Sequence, residues 1–415
     1  MSLRIPRTRV YSEAARDGRP TGRLVLAAAL LSLAAWAAGC EGGEGDAPPA
    51  LSEAEIEQLE ALGYSDWAEE AAGDGAMGVV AWDRARALTG YNLITYALLH
   101  RAELVDMEGR VLRAWAGEGK GRWHRAIFAA NGDLVVAGQE GRGEERRHVL
   151  IRLASDGTPL WRLYLPVHHH LTERPDGNIA ALTRRQRWLP RIHADVQLAD
   201  NGIALVSPDG ELIEERSLHD MLAAGPDVFE FLSQQSGSVP SDPDFLHANF
   251  VDWMDREDLA ERDPIYALSN VLVTVRDQNT LAIFDWDRGE VVWAWGQGEL
   301  LQPHGAGVIS NGNILVFDNR PGEETSRVVE LDPLAREIVW EYTREGFYSE
   351  TRGTVQRLPN GNTFIGESND GRAFEVTQDG EIVWEYRTPH RNEKAQPAAL
   401  WVERFQPASP EGFLP

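Results

Sequence analysis

Pro303 to Arg320 reads PHGAGVISNGNILVFDNR, a β-hairpin with polar residues at both ends. His304 precedes an apolar segment, an Asn-Gly-Asn sequence supplies the turn, and a second apolar segment runs into Asp-Asn-Arg. Asn-Gly between two such segments is one of the strongest short-range signals for a hairpin. The histidine and the arginine are therefore expected to lie at the same end of the hairpin, opposite its turn.

The same phrase recurs along the chain. Copies begin at His124 (HRAIFAANGDLVVAGQ) and at His169 (HLTERPDGNIAALTRR), and in each the histidine lies seven residues before the Asn or Asp that opens the turn. A further copy, TRGTVQRLPNGNTFIGESND, has Gly353 in the histidine position and Arg352 beside it. Repetition at this level indicates an architecture built from repeated units.

A second phrase follows each copy of the first. It consists of a strand, an Asp-centred turn and a strand that carries Trp, as in LAIFDWDRGEVVWAWG, RVVELDPLAREIVWEY and RAFEVTQDGEIVWEY. One complete unit is thus four antiparallel strands over roughly 45 residues, which is the size of a propeller blade. The tryptophans are predicted to pack between blades.

Counting the units predicts an all-β fold, a six-bladed β-propeller over residues 91–408. The first blade, near 91–117, supplies only three strands, and the others begin near His124, His169, His247, His304 and Arg352. The C-terminal strand AALWVERF is predicted to be the missing innermost strand of the first blade, which closes the ring and removes its exposed edges. A parallel β-solenoid would also repeat, but its coils are shorter and lack hairpin turns.

The N-terminus is typical of an exported lipoprotein. Six arginines precede the apolar run LVLAAALLSLAAWAA, which ends at Gly39 before Cys40, the only cysteine of the chain. This pattern predicts a lipoprotein signal peptide over 1–39 and lipidation of Cys40, with an uncleaved membrane anchor as the alternative. The expected location is the bacterial cell envelope, lipid-anchored, on the periplasmic or extracellular side.

The segment between Cys40 and the propeller is predicted to have two parts. Residues 40–50, rich in Gly, Pro and acids, read as a flexible tether. Residues 51–90 read as a helical N-terminal extension, in which SEAEIEQLEAL begins with a capping box. With its one cysteine acylated, the protein would have no thiol for a disulfide, a zinc–thiolate site or a nucleophile.

The net charge of −25 argues against nucleic acid as a partner and against electrostatic binding to anionic lipid. The membrane is therefore expected to be contacted through the N-terminal lipid alone. An anionic small molecule would need a locally basic site.

Such a site is predicted at one mouth of the propeller channel, where the first strand of each blade starts and the second ends. Arginine there can bind an oxyanion, and neutral histidine can act as base, acid or nucleophile. The alternative is that these polar residues only form hydrogen bonds with the adjacent backbone. A metal site is disfavoured, because no carboxylate recurs in register and arginines would oppose a cation. The residues concerned are His124, His169, His247 and His304, with Gln139, Arg184, Arg276, Asn319 and Ser368 at the strand-two ends.

The phrases DFLHANFVDW, PHGAGVISNGNILVFDNR, SRVVELD and RGTVQRLPNGNTFIGE resemble the arylsulfotransferase family. The resemblance implies a six-bladed propeller that moves a sulfuryl group from a phenolic sulfate donor to a phenolic acceptor, with no cofactor. It implies ping-pong catalysis, in which one channel histidine is sulfated while other histidines and an arginine bind the sulfuryl oxygens.

By motif match, His247 and His304 resemble the oxygen-binding histidines, Arg276 the strand-end arginine, and Arg320 or Arg327 the arginine after Phe-Asp-Asn. The family's sulfated histidine belongs to a late blade, where this chain has Arg352 and Gly353. His169, His124 and His390 are therefore the other candidates for that role. The resulting catalytic set is His247, His304, Arg276, Arg320, Arg327 and His169. The substrate-binding set is His124, Arg184, Asn319, Arg352 and His390.

Two other functions stay open at this point. One is a non-catalytic propeller lipoprotein that binds a ligand or an envelope partner. The other is hydrolase or lyase chemistry on an anionic substrate, for which Asp318 is the candidate base.

Overall fold

The computed structural model describes residues 77–97, 99–141, 143–190, 192, 197–232, 244–392 and 394–406. The predicted signal peptide, Cys40, the tether and the helix at 52–62 lie outside the described residues and stay predictions. Among the described segments, no helix has the length and apolar character needed to cross a bilayer.

The described chain is built almost entirely from strands. In chain order these are β1 (Gly78–Trp82), β2 (Tyr91–Tyr96), β3 (Arg101–Val105), β4 (Val111–Ala116), β5 (Gly121–Phe128), β6 (Leu134–Glu140), β7 (Arg147–Leu153), β8 (Pro159–Leu163), β9 (Val167–Glu173), β10 (Ile179–Trp188), β11 (Gln197–Val206), β12 (Leu212–Ser217), β13 (Ala248–Trp253), β14 (Asn270–Val275), β15 (Thr280–Asp285), β16 (Glu290–Trp295), β17 (His304–Val308), β18 (Ile314–Asp318), β19 (Arg327–Asp332), β20 (Glu337–Tyr342), β21 (Thr354–Arg357), β22 (Thr363–Glu367), β23 (Arg372–Val376), β24 (Ile382–Arg387) and β25 (Leu400–Phe405). Two short helices, α1 (Leu218–Ala224) and α2 (Glu257–Ala260), lie between them.

These strands form six antiparallel sheets, the six blades that the repeat predicts. In strand order the sheets are β25-β2-β3-β4, β5-β6-β7-β8, β9-β10-β11-β12, β13-β14-β15-β16, β17-β18-β19-β20 and β21-β22-β23-β24-β1, called here blades one to six. Apolar residues pack between neighbouring blades, and the largest such cluster lies between blades three and four and under α1.

The ring is closed by the last strand, as predicted. β25 pairs with β2 over its whole length, from Tyr91 opposite Phe405 to Tyr96 opposite Leu400. The C-terminal strand is thus the innermost strand of blade one. The last strand of the chain is thus held in the same sheet as β2, β3 and β4, and blade one has its inner strand.

The start of the propeller differs from the sequence prediction. Residues 78–82, assigned above to a helical extension, form the strand β1, which pairs with β24 as a fifth strand of blade six. The physical reason is that GVVAW carries two β-branched residues and an aromatic residue, which favour a strand on an open sheet edge. The described propeller therefore begins at Gly78 and not at residue 91.

The tryptophans of the fourth strands join neighbouring blades, and they do so with a hydrogen bond as well as by packing. The indole N–H of Trp161 donates to the Pro208 carbonyl (2.7 Å), that of Trp340 to Gln378 (2.9 Å), and that of Trp384 to Met107 (3.0 Å). In each case the carbonyl belongs to the turn between strands three and four of the next blade. The recurrent Trp thus fixes the spacing of the blades.

A buried ion pair lies at the closure between blades one and six. Arg404 of β25 contacts the Glu375 carboxylate of β23, and both side chains are fully buried. Arg404 also donates to Asn92 of β2 (2.8 Å), and its guanidinium lies over the rings of Phe364 and Trp384. Removing one partner of a buried pair leaves an uncompensated charge, which costs about 3–5 kcal/mol.

We predict that Arg404→Met lowers the free energy of unfolding by about 3–5 kcal/mol, because Glu375 then stays buried without its cation. Urea unfolding followed by tryptophan fluorescence measures this. The matched control is Arg110→Met, at an ion pair whose arginine is 72% exposed; because solvent screens that pair, its loss of stability should be much smaller than that of Arg404→Met. Equal losses in the two variants would contradict a closing role for the buried pair.

Candidate active site

Near their histidines, the first strands of four blades pair irregularly with the second strands. The pairing of first and second strands shifts register between Trp123 and Arg125, between Ala248 and Phe250, and between His304 and Gly307. In blade three the shift covers residues 168–170. A bulge re-aims the side chain that it carries. His124, His168 and His169 therefore stand within a bulge, whereas His304 and His247 lie just before the bulge of their own blade.

Backbone strain is concentrated at the same end of the strands. His169, His247, Arg320 and Arg352 all have positive φ, between 46° and 64°. Non-glycine residues adopt this left-handed conformation at a cost, and such residues gather at functional sites. Three of the four lie at the start of a first strand, where the channel opens. We call this end of the channel the histidine mouth, defined by His124, His168, His169, His247 and His304.

The structure brings these imidazoles together. The ring centroids of His169 and His247 lie 4.9 Å apart, those of His168 and His169 4.8 Å apart. His124 and His304 are close enough to His169 for their charges to lower its pKa. The four histidines predicted to meet at the channel therefore do meet there, with His168 added.

His304 is held in one tautomer by Asn319. The Asn319 amide donates through Nδ2 to the Ser349 carbonyl (2.7 Å) and to the Arg352 carbonyl (2.5 Å), so its Oδ1 must face His304. Oδ1 lies 2.6 Å from Nδ1 of His304, which is therefore the protonated nitrogen. In the neutral ring the lone pair is then on Nε2. Asn319 is thus a positioning residue for His304.

His168 and His169 form a directed pair. Nε2 of His168 lies 3.0 Å from the Thr183 carbonyl, so it carries the proton, and Nδ1 of the neutral ring is an acceptor. Nδ1 of His169 lies 2.5 Å from that acceptor and must donate to it. His169 is thereby left with its lone pair on Nε2. A second imidazole therefore directs His169 much as a carboxylate directs the histidine of a hydrolase triad.

His247 is directed by a carboxylate. Asp244 lies 3.4 Å from its Nδ1 and also accepts the backbone N–H of His247 (2.9 Å). Asp244 is buried and is itself held by Asn201 (2.7 Å) and Arg184 (3.3 Å). Arg184 therefore acts on the site indirectly, by holding Asp244 in place.

Desolvation keeps four imidazoles of the histidine mouth unprotonated. It lowers the pKa of the buried His168 and His304 to about 3. His124 and His169 keep part of their surface open to the channel, and desolvation together with the neighbouring cationic groups lowers their pKa as well. These four imidazoles are therefore neutral at physiological pH and can act as bases or nucleophiles.

Two arginines in this region have no carboxylate partner within the described residues. Arg122 donates through Nε to Gln139 (2.8 Å), and Arg352 donates to the hydroxyl of Thr351 (3.2 Å). Desolvation and the charge of Arg122 lower the pKa of Arg352. Cations that face each other without a counter-ion favour an anion between or beside them.

Arg276 has a different environment. It contacts Asp277 (2.7 Å) and the side-chain oxygen of Gln302 (2.7 Å), and its charge acts on His304. Desolvation raises the pKa of Asp277 to about 6. Arg276 is thus held in place beside the mouth by partners on two blades.

Three of the predicted site residues take part in ion pairs of blade five. Arg327 uses all three of its nitrogens within the protein, on Asp318 (2.8 Å), Glu341 (2.7 Å) and the Glu299 carbonyl (2.7 Å). Asp318 is fully buried in that ion pair, which leaves it unsuited to act as a base. The Arg320 guanidinium lies 3.9 Å from Glu323 on the loop after β18.

His390 belongs to a separate cluster. Its Nε2 lies 3.1 Å from Glu103, and its ring packs edge-on against Tyr96. The structure therefore does not bring His390 to the other histidines. The reason is that the loop after β24 folds back over the junction of blades one and six, where the Ala398 N–H bonds to the His390 carbonyl (2.9 Å).

Sequence reasoning missed four residues of the site. These are Arg122, His148, His168 and Asp244. His148 stacks on His124 at 6.3 Å and bonds to the Val167 carbonyl. The run His168-His169-His170 and the acid three residues before His247 were visible signals. Arg122 and His148 carried none, because neither occupies a repeated register. Within the described residues, no group of three potential ligands is arranged to hold a metal ion.

Comparison with known proteins shows the family of the chain. The family model described as arylsulfotransferase (ASST) matches residues 159–389, which is more than half of the chain. The chain therefore belongs to the arylsulfotransferase family. No curated protein matches it.

Solved structures support the fold. A protein of unknown function from Bacteroides caccae is 12% identical, with a TM-score of 0.51, and the match covers 77% of this chain and 100% of that one. An inactive variant of virginiamycin B lyase from Staphylococcus aureus is also 12% identical, with a TM-score of 0.43 and coverage of 79% and 96%. At this identity the first of these shows the fold alone.

We predict that His304 makes the fold less stable in acid. Its pKa is about 3 in the folded protein, whereas an unperturbed histidine titrates near 6.5. As pH falls below about 6.5 the unfolded chain takes up the proton and the folded protein does not, so stability is lost between those two values. His304→Gln should therefore reduce the slope of unfolding free energy against pH between 6 and 4 by about 1.4 kcal/mol per pH unit.

Urea unfolding at several pH values measures the slope, and His219→Gln, on the outer helix α1, is the matched control. Equal slopes in the wild type and His304→Gln would contradict the burial of a neutral imidazole.

Proposed function

We propose that the protein transfers a sulfuryl group from a phenolic sulfate ester to a phenolic acceptor through a sulfo-histidine intermediate. The observation that carries this proposal is the histidine mouth itself, in which neutral imidazoles stand beside Arg122 and Arg352, two cations without carboxylate partners. Family membership supports sulfotransferase activity of this kind. An anionic sulfate ester is the substrate that such a mouth would attract.

His169 is the proposed nucleophile. It lies among the other histidines, part of its surface is open to the channel, and its bond to His168 leaves the lone pair on Nε2. It also occupies the register shared by the three aligned hairpin phrases. The role that the family gives to a late-blade histidine would thus move to blade three.

In the first step, Nε2 of His169 attacks the sulfur of the ester. An N–S bond forms, the ester S–O bond breaks, and the phenolate leaves with the bonding electrons. The Nδ1 proton of His169 can pass to Nδ1 of His168, which leaves a neutral sulfonated ring beside a His168 imidazolium. In the second step a phenolic acceptor gives its proton to Nε2 of His304, from which it passes to solvent, and the acceptor oxygen attacks the same sulfur. The N–S bond breaks, its electrons return to Nε2 of His169, and the proton held by His168 returns to Nδ1 of His169.

The other residues would stabilise the sulfuryl group while it is transferred. Negative charge spreads over its equatorial oxygens, as it does in phosphoryl transfer. Fixed cations and N–H donors lower the energy of that arrangement most when they need no reorganisation. Arg276 and Arg352 would supply the charge. His304, directed by Asn319, would turn the lone pair of its Nε2 towards the phenolic acceptor, whose proton it can accept. His247, held by Asp244, would lie beside the sulfuryl group.

We further propose that the protein is held at the bacterial cell envelope by lipid on Cys40, with the propeller on the periplasmic or extracellular side. The sequence around Gly39 and Cys40 supports this. Such a position would give the mouth direct access to substrates outside the cytoplasm.

We predict that brief exposure to 4-nitrophenyl sulfate adds one sulfuryl group, about 80 Da, to the purified protein and releases nitrophenol in a burst. Intact mass spectrometry and absorbance measure these, and peptide mapping should place the group on His169. His169→Gln should lose the adduct and at least about a hundredfold of the rate. His219→Gln is the matched control and should keep both.

An adduct on another histidine would overturn the assignment of His169 but keep the reaction. Absence of both adduct and phenol release, with a phenolic acceptor present, would overturn sulfuryl transfer and favour a propeller that only binds an anion.

A further inference from the structure

The channel contains a second chemical environment beyond the histidine mouth. A cavity of about 440 Å³ lies further along the channel. It is lined by the parts of the first strands between their histidines and the turns to the second strands. Its walls come from the first strands of blades one, two, three, four and six. This volume falls within the range of about 300–1,000 Å³ that is typical of small-molecule sites.

One wall of the cavity has a buried hydrogen-bond acceptor that nothing satisfies. His170 is 5% exposed, and its Nδ1 lies 3.1 Å from the Val251 carbonyl, so Nδ1 carries the proton. Nε2 is then the acceptor, and it has no partner among the described residues. Buried polar atoms are rarely left in this state, so a donor is expected opposite it. The ring of His170 also stacks on Phe250 at 3.7 Å.

The charges that line the cavity are mainly negative. Asp252, Glu403 and Glu173 face it, and Arg125 is the single guanidinium among its lining residues. Arg125 pairs with Glu403 at 3.1 Å, which leaves Asp252 and Glu173 without a cation in the wall. Asp252 accepts the Val308 N–H (2.9 Å) through one oxygen only. The histidine mouth, in contrast, is lined mainly by cationic and neutral nitrogen groups.

Aromatic rings complete the wall. Phe250, Phe128 and Phe405 all line the cavity, and the last two pack edge to face at 5.5 Å. Rings around a carboxylate-lined space suit a ligand with a flat apolar body and a positive end, because such a cation is attracted both by the carboxylates and by the ring faces.

We infer that this half of the channel binds a small aromatic molecule that carries a protonated amine, an arylalkylamine. The ammonium group would bond to Asp252, and the aromatic body would lie against Phe250, Phe128 and Phe405. The channel is thus divided between an anion-binding mouth and a cation-binding cavity. This inference does not depend on the proposed sulfuryl transfer, because binding can be measured without turnover.

The burial of Asp252 agrees with a site that awaits a cation. Desolvation, together with the nearby charges of Asp255 and Glu403, raises its pKa to about 7. A carboxylate without a counter-ion in a partly closed space shows this behaviour, and a bound ammonium would reverse it. Binding is therefore best measured at pH 8, where Asp252 carries its charge.

The test is calorimetric titration of the full-length protein at pH 8 with three ligands of similar shape: phenethylamine, 2-phenylethanol and phenylacetate. Phenethylamine should bind at one site and at least tenfold more tightly than phenylethanol, and phenylacetate should not bind in the cavity. Asp252→Asn should weaken phenethylamine at least tenfold and leave phenylethanol unchanged. Glu403→Gln provides a second charge-removing variant should Asp252→Asn fail to fold.

His169→Gln, in the histidine mouth, is the matched control and should keep phenethylamine binding. The inference is overturned if phenylethanol or phenylacetate binds as tightly as the amine. It is also overturned if Asp252→Asn and Glu403→Gln fold and bind phenethylamine like the wild type, or if His169→Gln abolishes its binding.

Discussion

The pairing of β25 with β2 is the interaction on which the rest of the structure depends. It places the end of the propeller chain inside blade one and turns six separate sheets into a ring. Only a closed ring points the first strands of all blades at one axis. The histidines of four blades can then meet, although they are far apart in sequence, and each lies in or just before a bulge of its first strand.

Closure also excludes water, and the chemistry follows from that. The buried imidazoles of the mouth stay neutral, and their hydrogen bonds decide which nitrogen carries the lone pair. Nδ1 of His304 donates to Asn319, and Nδ1 of His169 donates to His168. Nδ1 of His247 lies beside Asp244. Arginines without acidic partners keep the mouth attractive to anions. Further along the same channel, Asp252 and Glu403 make the lining negative. The channel therefore has an anion-binding region and a cation-binding region, only a few residues apart along each strand.

The repeat made most of this predictable. The turn phrases and the Trp-bearing strands predict six blades, and AALWVERF predicts the closure, because local turn chemistry and strand period determine both. The gathering of His124, His169, His247 and His304 follows from their shared register. Register could not show that Arg327 pairs with Asp318, or that His390 folds onto Glu103, since side-chain partners depend on packing between distant segments. It also gave no signal for β1, which joins blade six from the far end of the chain.

A crystal structure with a non-reactive aryl sulfonate bound would test the central claim most directly, namely that the histidine mouth binds the oxyanion of the substrate. We predict that the sulfonate oxygens lie within hydrogen-bond distance of Arg352 or Arg276, with the sulfur facing Nε2 of His169. A sulfonate bound in the carboxylate-lined cavity, or outside the channel, would contradict the account.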